Sequence, residues 1–284
     1  MANVAIIFDR IRKEEKLLKS EGMKMGHNVI LKDVKNVQIN TMSSTEYFGD
    51  IAIGRCISYL RGLHFTSCLE FLNIPVINKY DVMNICGNKL FTTLFLKKHN
   101  IPTPKTYFAF SQESAKKSIE NIGYPLVMKP IIGSWGRGVV LLKDKDTTEA
   151  LLEMRDINNG PFDRLYYLQE LVARPPRDIR VIIAGDNILA SMYRESPNNN
   201  FKTNIACGAS PVVCKITKEI EEICIKISNV MKNSILGIDL MEDKKNGLVV
   251  HEINSTIEFS GLMQVTEKNI PMEIMRFALN FARK

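Results

Sequence analysis

The chain has 284 residues, 45% of them apolar and 24% charged, with a formal net charge of +7. That length allows two or three packed subdomains, and the composition is that of a globular protein rather than a disordered one. No apolar run approaches the length of a bilayer span, and the apolar stretch at 4–8 starts too near Met1 to leave room for a cleaved leader, so a cytoplasmic location is expected. The cysteines Cys56, Cys68, Cys86, Cys207, Cys214 and Cys224 form no Cys-x-x-Cys pair and mostly have apolar neighbours, which predicts reduced, structural thiols. Lysine clusters at 13–19, 97–98 and 116–117 fall on helix faces, where solvation accounts for them. No segment interleaves basic and aromatic residues, so nucleic acid is not the expected partner; nucleotide phosphates or an acidic protein fit the charge better.

In chain order, residues 4–8 read as a strand, 11–25 as a charged helix, 28–32 and 51–53 as strands, 66–72 as a helix, 75–78 as a strand and 81–99 as one long helix. Strand alternating with helix predicts a doubly wound parallel sheet. The two prolines of Ile101-Pro102-Thr103-Pro104 punctuate the chain, and the first subdomain is placed at 1–88. The pattern then becomes mixed: a strand at 106–110, a helix at 112–122, strands at 126–130 and 139–142 around a glycine-rich loop, a helix from 147 and a strand at 166–172. Antiparallel signals dominate this central subdomain, 89–168. A C-terminal subdomain, 169–284, opens with a hairpin at 178–184 and 188–193, adds a helix at 217–231 and a second hairpin at 239–254, and closes with a helix at 271–282. The fold class is α/β with α+β character, its parallel doubly wound sheet at the N-terminus.

The second hairpin carries the densest chemistry. Apolar runs at 236–241 and 248–253 flank turn residues 243–247. Residues two apart on a strand share a face. A turn at Lys245-Asn246 sets Asp239 opposite Glu252, and a turn at Asn246-Gly247 sets it opposite Asn254. Either register gathers two carboxylates and an amide oxygen, which repel unless a positive charge lies among them. Hard oxygen donors of that number suit Mg²⁺ with phosphates completing the shell; a solvated polar face is the alternative. On the metal reading, Asp239→Asn and Glu252→Gln are expected to abolish activity and leave the fold intact.

Gly133-Ser134-Trp135-Gly136-Arg137-Gly138 joins two strands, so its backbone N–H groups can form an anion nest, with Arg137 adding charge. It is neither a P-loop nor a dinucleotide fingerprint, and by itself it could be a plain hairpin turn. Lys129 precedes it in an apolar strand, where an ammonium needs a partner that phosphate would supply. Lys89 is helical and, taken alone, reads as solvated. Gln169-Glu170-Leu171-Val172 ends a strand before Arg174-Pro175-Pro176-Arg177, a hinge whose free backbone groups could read an adenine edge. Arg194 could face an acyl phosphate or form a cross-strand ion pair with Asp178. Asn204, after the polar loop Asn198-Asn199-Asn200, could be a turn residue or a ligand.

In this order these residues resemble the ATP-grasp ligases, specifically the RimK-like branch that contains LysX and its glutamate-specific sister, over nearly the whole chain. Lys129-Pro130 followed by Gly133-Ser134-Trp135-Gly136-Arg137, with Glu252-Ile253-Asn254 and then Glu258-Phe259, carries the likeness. The resemblance implies ATP and Mg²⁺ as cofactors, with Lys89 and Lys129 on the phosphates under the 133–138 loop. It puts the backbones of Glu170 and Val172 at the adenine and Asp178 near the ribose, with Gln169, Leu171, Arg180 and Asn204 also at the nucleotide. Arg194 would bind the incoming amino acid or acyl phosphate, and Asp239, Glu252 and Asn254 the metal. Asn254, Thr256, Glu258, Gly261 and Leu262 would form the amino-acid side.

The activity implied joins the α-amino group of 2-aminoadipate, glutamate or both to the C-terminal glutamate of a small acidic carrier protein, with self-association into a homo-oligomer. Gly261-Leu262 is nearer the Gly-Phe of the glutamate-using sister than the Asn-Thr or Asn-Ala of the aminoadipate enzyme. Arg137-Gly138 stands where a leucine is usual, and Cys207-Gly208-Ala209-Ser210 lacks the usual paired glycines. A ligase adding glutamate to a small cofactor or a ribosomal protein tail uses the same residues, and a nucleotide-binding regulator without turnover is the non-enzymatic alternative.

Overall fold

The computed structural model describes residues 1–42, 46–158, 160–197, 201, 203–205 and 208–282. The polar loop Asn198-Asn199-Asn200 and Cys207 lie outside the described residues. Strand β1 (Asn3–Phe8) is followed by helix α1 (Lys13–Lys24), β2 (Asn28–Asp33), β3 (Ile51–Gly54), α2 (Tyr59–Phe71) and β4 (Val76–Ile77). These strands pair in parallel in the order β2-β1-β3-β4. β1 is buried on both faces, as a central parallel strand is. Val4 and Ile6 pack with Leu18, and Ala5 and Ile7 with Phe48 and Leu69.

The long helix expected at 81–99 is two helices, α3 (Tyr80–Gly87) and α4 (Lys89–Lys98). Asn88 between them has extended backbone, and its side-chain oxygen accepts from the N–H groups of Leu90 (3.0 Å) and Phe91 (3.4 Å). This N-cap restarts the helix in a new direction, and Lys89 therefore stands at a helix start. The expected helix at 66–72 begins earlier, at Tyr59, capped by Ser58.

β5 (Thr106–Ala109), α5 (Gln112–Ile122), β6 (Leu126–Lys129), β7 (Val140–Leu142), α6 (Lys145–Asn158) and β8 (Tyr166–Glu170) form the second unit, an antiparallel sheet ordered β5-β8-β6-β7. β6 and β7 are direct partners, so the glycine-rich segment is a long hairpin loop. β8 runs through 170, so the strand itself spans the expected boundary at 168.

The third sheet contains β9 (Arg177–Ala184), β10 (Asn187–Glu195) and β11 (Ser210–Val213), a short edge strand the sequence pattern did not reveal. After α7 (Lys218–Val230) come β12 (Ile235–Asp243) and β13 (Gly247–Asn254), and α8 (Ile270–Ala282) ends the fold. The order is β11-β10-β9-β12-β13, all antiparallel. One face, with Ile179, Val181, Ile183, Leu236, Ile238 and Leu240, packs on α7 and on α3 and α4. The opposite face begins apolar, with Ile182, Ala184 and Ile235 joined to the first sheet through α8, and turns polar along the strands. Among the described residues no helix is long and apolar enough to cross a membrane.

Candidate active site

The polar half of the third sheet follows from alternation. Asp178 and Arg180 share the face of Ile182; Asp239 shares that of Ile235; Arg194 lies directly opposite Asp178. The β12–β13 turn is a three-residue loop, Lys244-Lys245-Asn246, because Asp243 pairs with Gly247. A bulge at His251 then restores the pairing of Asp239 with Glu252. An extra residue in one strand breaks the two-residue period. His251 and Glu252 therefore both line a cavity, while Val250 and Ile253 on either side stay in the core.

Charge on this face is matched internally. Arg194 donates from Nε and Nη2 to the two oxygens of Asp178, each at 2.7 Å, and its Nη2 also reaches Asp239 at 3.0 Å. Arg180 bonds Asp239 through Nη2 at 2.9 Å and also approaches through Nε. Thr203 donates to Asp178 as well. Burial alone would raise the Asp178 carboxyl, but Arg194 and His251 outweigh it and hold it well below the usual carboxylate range. Burial opposes the Arg194 charge, and Asp239 with Asp178 nonetheless raises its pKa. Burial depresses His251. Gly237 makes room for this packing, since a Cβ there would lie 2.9 Å from Arg180 Nη1 and 3.2 Å from Ile257 Cγ2.

Lys129 is 7% exposed and donates to Gln169 Oε1 at 2.6 Å, and its ammonium lies 5.8 Å from the Tyr167 ring centre. Burial lowers its pKa to about 8, against the pull of Glu252. Gln169 is oriented in turn, its amide donating to Tyr167 and Thr106 at 2.9 and 3.0 Å. Lys89 donates to the carbonyl of Gly133 at 2.7 Å and faces Glu252 at 3.6 Å. Burial would raise Glu252, but Lys89, His251 and Lys129 pull its carboxyl well below the usual range. The loop tip is fastened by Trp135, whose indole N–H donates to Glu258 at 3.2 Å, and Arg12 meets the same oxygen at 3.3 Å. Gly136 and Gly138 have φ of +68° and +69°, where a side chain would strain the turn.

Two cavities flank this arrangement and share Gly133, Ser134, Trp135, Asn204 and Glu252. The larger, about 560 Å³, takes in Lys89, Lys129, Gly136, Arg137, the hinge Gln169 to Val172 and Asp178. The smaller, about 380 Å³, takes in Arg180, Arg194, Asp239, Asn254, Thr256, Glu258 and Gly261. Arg180, grouped with the nucleotide in the sequence reading, thus opens onto the smaller cavity. Gly138 lines neither and packs over Pro130; Leu262 is fully buried in the core. The amide of Glu170 is bonded to the carbonyl of Lys105 at 3.0 Å.

Sequence reasoning missed His251, Arg174, Arg12 and Glu14, all of which line a cavity. The first depends on the bulge, and the last two come from the first subdomain. The Arg174-Pro175-Pro176 bend was the one available signal.

A model of the LysX preATP-grasp domain matches residues 4–85, and one of the RimK-like ATP-grasp domain matches residues 86–278. The chain belongs to the RimK-like ATP-grasp family. It is 36% identical over 274 residues to the alpha-aminoadipate–LysW ligase LysX of Saccharolobus solfataricus, covering 96% of this chain and 99% of that protein. It is 32% identical over 276 residues to the glutamate–LysW ligase ArgX of Sulfurisphaera tokodaii, covering 96% of each. The fold is shared with a RimK-domain ATP-grasp protein of Sphaerobacter thermophilus, with a TM-score of 0.80 and 22% identity over 98% of this chain and 100% of that one. D-alanine–D-alanine ligase of Bacillus anthracis superposes with a TM-score of 0.72 and 16% identity, covering 100% and 98%. Like this family, the chain is an ATP-grasp ligase.

Proposed function

We propose that this ligase joins the α-amino group of glutamate, 2-aminoadipate or both to the C-terminal glutamate of a small acidic carrier protein, through an acyl phosphate. The observation that carries the reading is the pair of cavities meeting at Gly133 to Trp135, Asn204 and Glu252, in a chain alike end to end to both kinds of LysW ligase.

ATP occupies the larger cavity. Leu171 and Val172, with Val127, Val139 and Met241, would hold its base, and Lys129, Lys89 and the loop would hold its phosphates. The donor set fits Mg²⁺ in part. Glu252 and Asn254 offer hard oxygens at the border, whereas Asp239 is held by two arginines and is free to ligate only if they release it. Among the described residues no third His, Cys, Asp or Glu joins Asp239 and Glu252. Glu252 and Asn254 would therefore hold the cation, with phosphate oxygens completing its shell. When bound, Mg²⁺ neutralises charge on the β and γ phosphates.

The carrier carboxylate attacks the γ-phosphorus and ADP leaves, with Lys129 and Lys89 orienting the phosphates. The amine nitrogen of the amino acid then attacks the acyl carbon, inorganic phosphate leaves, and the amine's surplus proton passes to solvent. The net charge of +7 steers an acidic carrier inward, an effect that weakens as salt rises.

The test is to incubate the protein with ATP, Mg²⁺, an acidic carrier ending in glutamate, and glutamate or 2-aminoadipate, reading ADP and the carrier's mass. The carrier is expected to gain the mass of one amino-acid residue in step with ADP release. ADP release without an adduct, or ATP binding without release, overturns the proposal; the second outcome favours a regulator.

A further inference from the structure

The smaller cavity has four carboxylates in its wall, and three of them face a cation. Asp239 meets Arg180 and Arg194, Glu252 meets Lys89, and Glu258 meets Arg12. Glu14 does not. It stands in the first turn of α1, 7% exposed, and its Oε1 accepts from the Ser260 hydroxyl at 2.7 Å. Among the described residues no Lys, Arg or His comes within ion-pair distance of it.

The two nearest arginines are engaged elsewhere. Arg12 and Arg55 both bind Glu15, at 2.8 and 3.0 Å. Both guanidiniums thus bond directly to Glu15 and reach Glu14 only through longer-range Coulomb attraction, although a buried carboxylate gains most from a direct charged partner. A cavity-lining carboxylate without a direct ion-pair partner is suited to a ligand that brings one.

We propose that Glu14 receives the ammonium group of the incoming amino acid and so holds the nitrogen that becomes the nucleophile. The substrate class is an amino acid with a free α-amino group, and the residue comes from the first subdomain rather than from the ATP-grasp portion. This inference rests on the reading that the smaller cavity takes the amino acid. Glu14 acts by charge-assisted hydrogen bonding, and the bonds made and broken are those of the ligation itself.

Glu14→Gln tests it, because the amide oxygen can still accept from Ser260 and keep the local packing. With a non-hydrolysable ATP analogue and Mg²⁺ present, calorimetry compares glutamate with glutarate and 2-aminoadipate with adipate, pairs that differ only in the amino group. The wild type is expected to prefer the amino acid by about tenfold or more, and the variant to bind both members of a pair within about threefold. In turnover, the amino-acid KM rises about tenfold while the ATP KM changes less than about twofold.

Preference for the amino acid retained in Glu14→Gln overturns the proposal. So does a shifted Mg²⁺ requirement with unchanged amino-acid binding, which would assign Glu14 to the metal. A purely structural role would lower both members of each pair together. If wild-type ADP release shows no dependence on an amino acid, the proposed function itself fails, and that is visible before any variant is made.

Discussion

The larger cavity is walled mainly by apolar side chains and strand backbone, and one buried lysine supplied with a neutral partner, Gln169, gives it a cation available to a ligand. The guanidiniums of the smaller cavity's wall are each paired with a carboxylate, Arg180 and Arg194 with Asp239 and Arg12 with Glu258. The first can therefore gain a phosphate without breaking an internal bond of Lys129 to an acid. In the second, a ligand that takes Asp239 or an arginine as its partner must replace a bond the fold already makes. The proposed placement of a flexible polyanion in one and a small zwitterion in the other uses that contrast. Four substitutions test it.

Asp239→Asn has the largest expected effect. It leaves Arg180 and Arg194, both buried, short of one negative charge, and breaking such a pair costs about 3–5 kcal/mol. The sequence reading expected an intact fold from this change; the two arginine contacts revise that to a lower urea midpoint. An unchanged midpoint would mean that the paired charges do not hold this cavity together.

Glu252→Gln comes next. Glu252 belongs to both cavities, so kcat is expected to fall roughly a hundredfold or more, with disturbed binding of both ATP and amino acid. A defect confined to one substrate would separate the cavities more sharply than their shared wall implies.

Lys129→Met is expected to raise the ATP KM by about tenfold or more and leave the amino-acid KM alone. Its pH dependence is a second readout. The Lys129 ammonium titrates near 8 in the folded protein, below its ordinary 10.5. Between those values the unfolded chain holds the extra proton, so this residue's destabilisation is full below about 8 and is relieved as pH rises through that window. ATP binding runs the other way. Above about 8 the free lysine is neutral, so calorimetry should show affinity falling by up to about tenfold per pH unit, a slope absent in Lys129→Met.

Glu258→Gln should have the smallest effect. It weakens contacts to Trp135 and Arg12 worth about 1 kcal/mol each, so kcat should change only a few-fold. Trp135 is the one tryptophan of the chain, so its emission should shift in this variant and report the loop directly. An unchanged spectrum would detach the loop tip from the smaller cavity.

The contrast between cavities also explains what was legible in the chain. Much of the larger cavity's wall comes from the stretches 127–139 and 169–178, where turn glycines, a lysine in an apolar strand and a proline bend are local signals. The smaller cavity is assembled from segments far apart in sequence, including 12–14, 56–59, 83–87 and 252–261. No short pattern announces that Arg12 will meet Glu258, or that Asn78 and Arg55 will bind the carbonyls of Ser255 and Ile257, at 2.7 and 2.6 Å. The split of the long helix at Asn88 was in principle readable, because Gly87-Asn88 is a stop and an N-cap side by side.

Local properties of the chain, its periodicity, turn residues and strand alternation, were enough for the parallel first sheet, the antiparallel character of the rest, the glycine-rich loop and the gathering of Asp239, Glu252 and Asn254, but not for the register that pairs Asp239 with Glu252. The tertiary packing settled that a bulge turns His251 and Glu252 into one cavity, that two arginines contact Asp239, that Leu262 is core, and that Glu14 makes no direct ion pair among the described residues. Those outcomes depend on which distant charges become neighbours when three sheets close on one another, and the partition of a few counter-charges among more carboxylates is settled only by that packing.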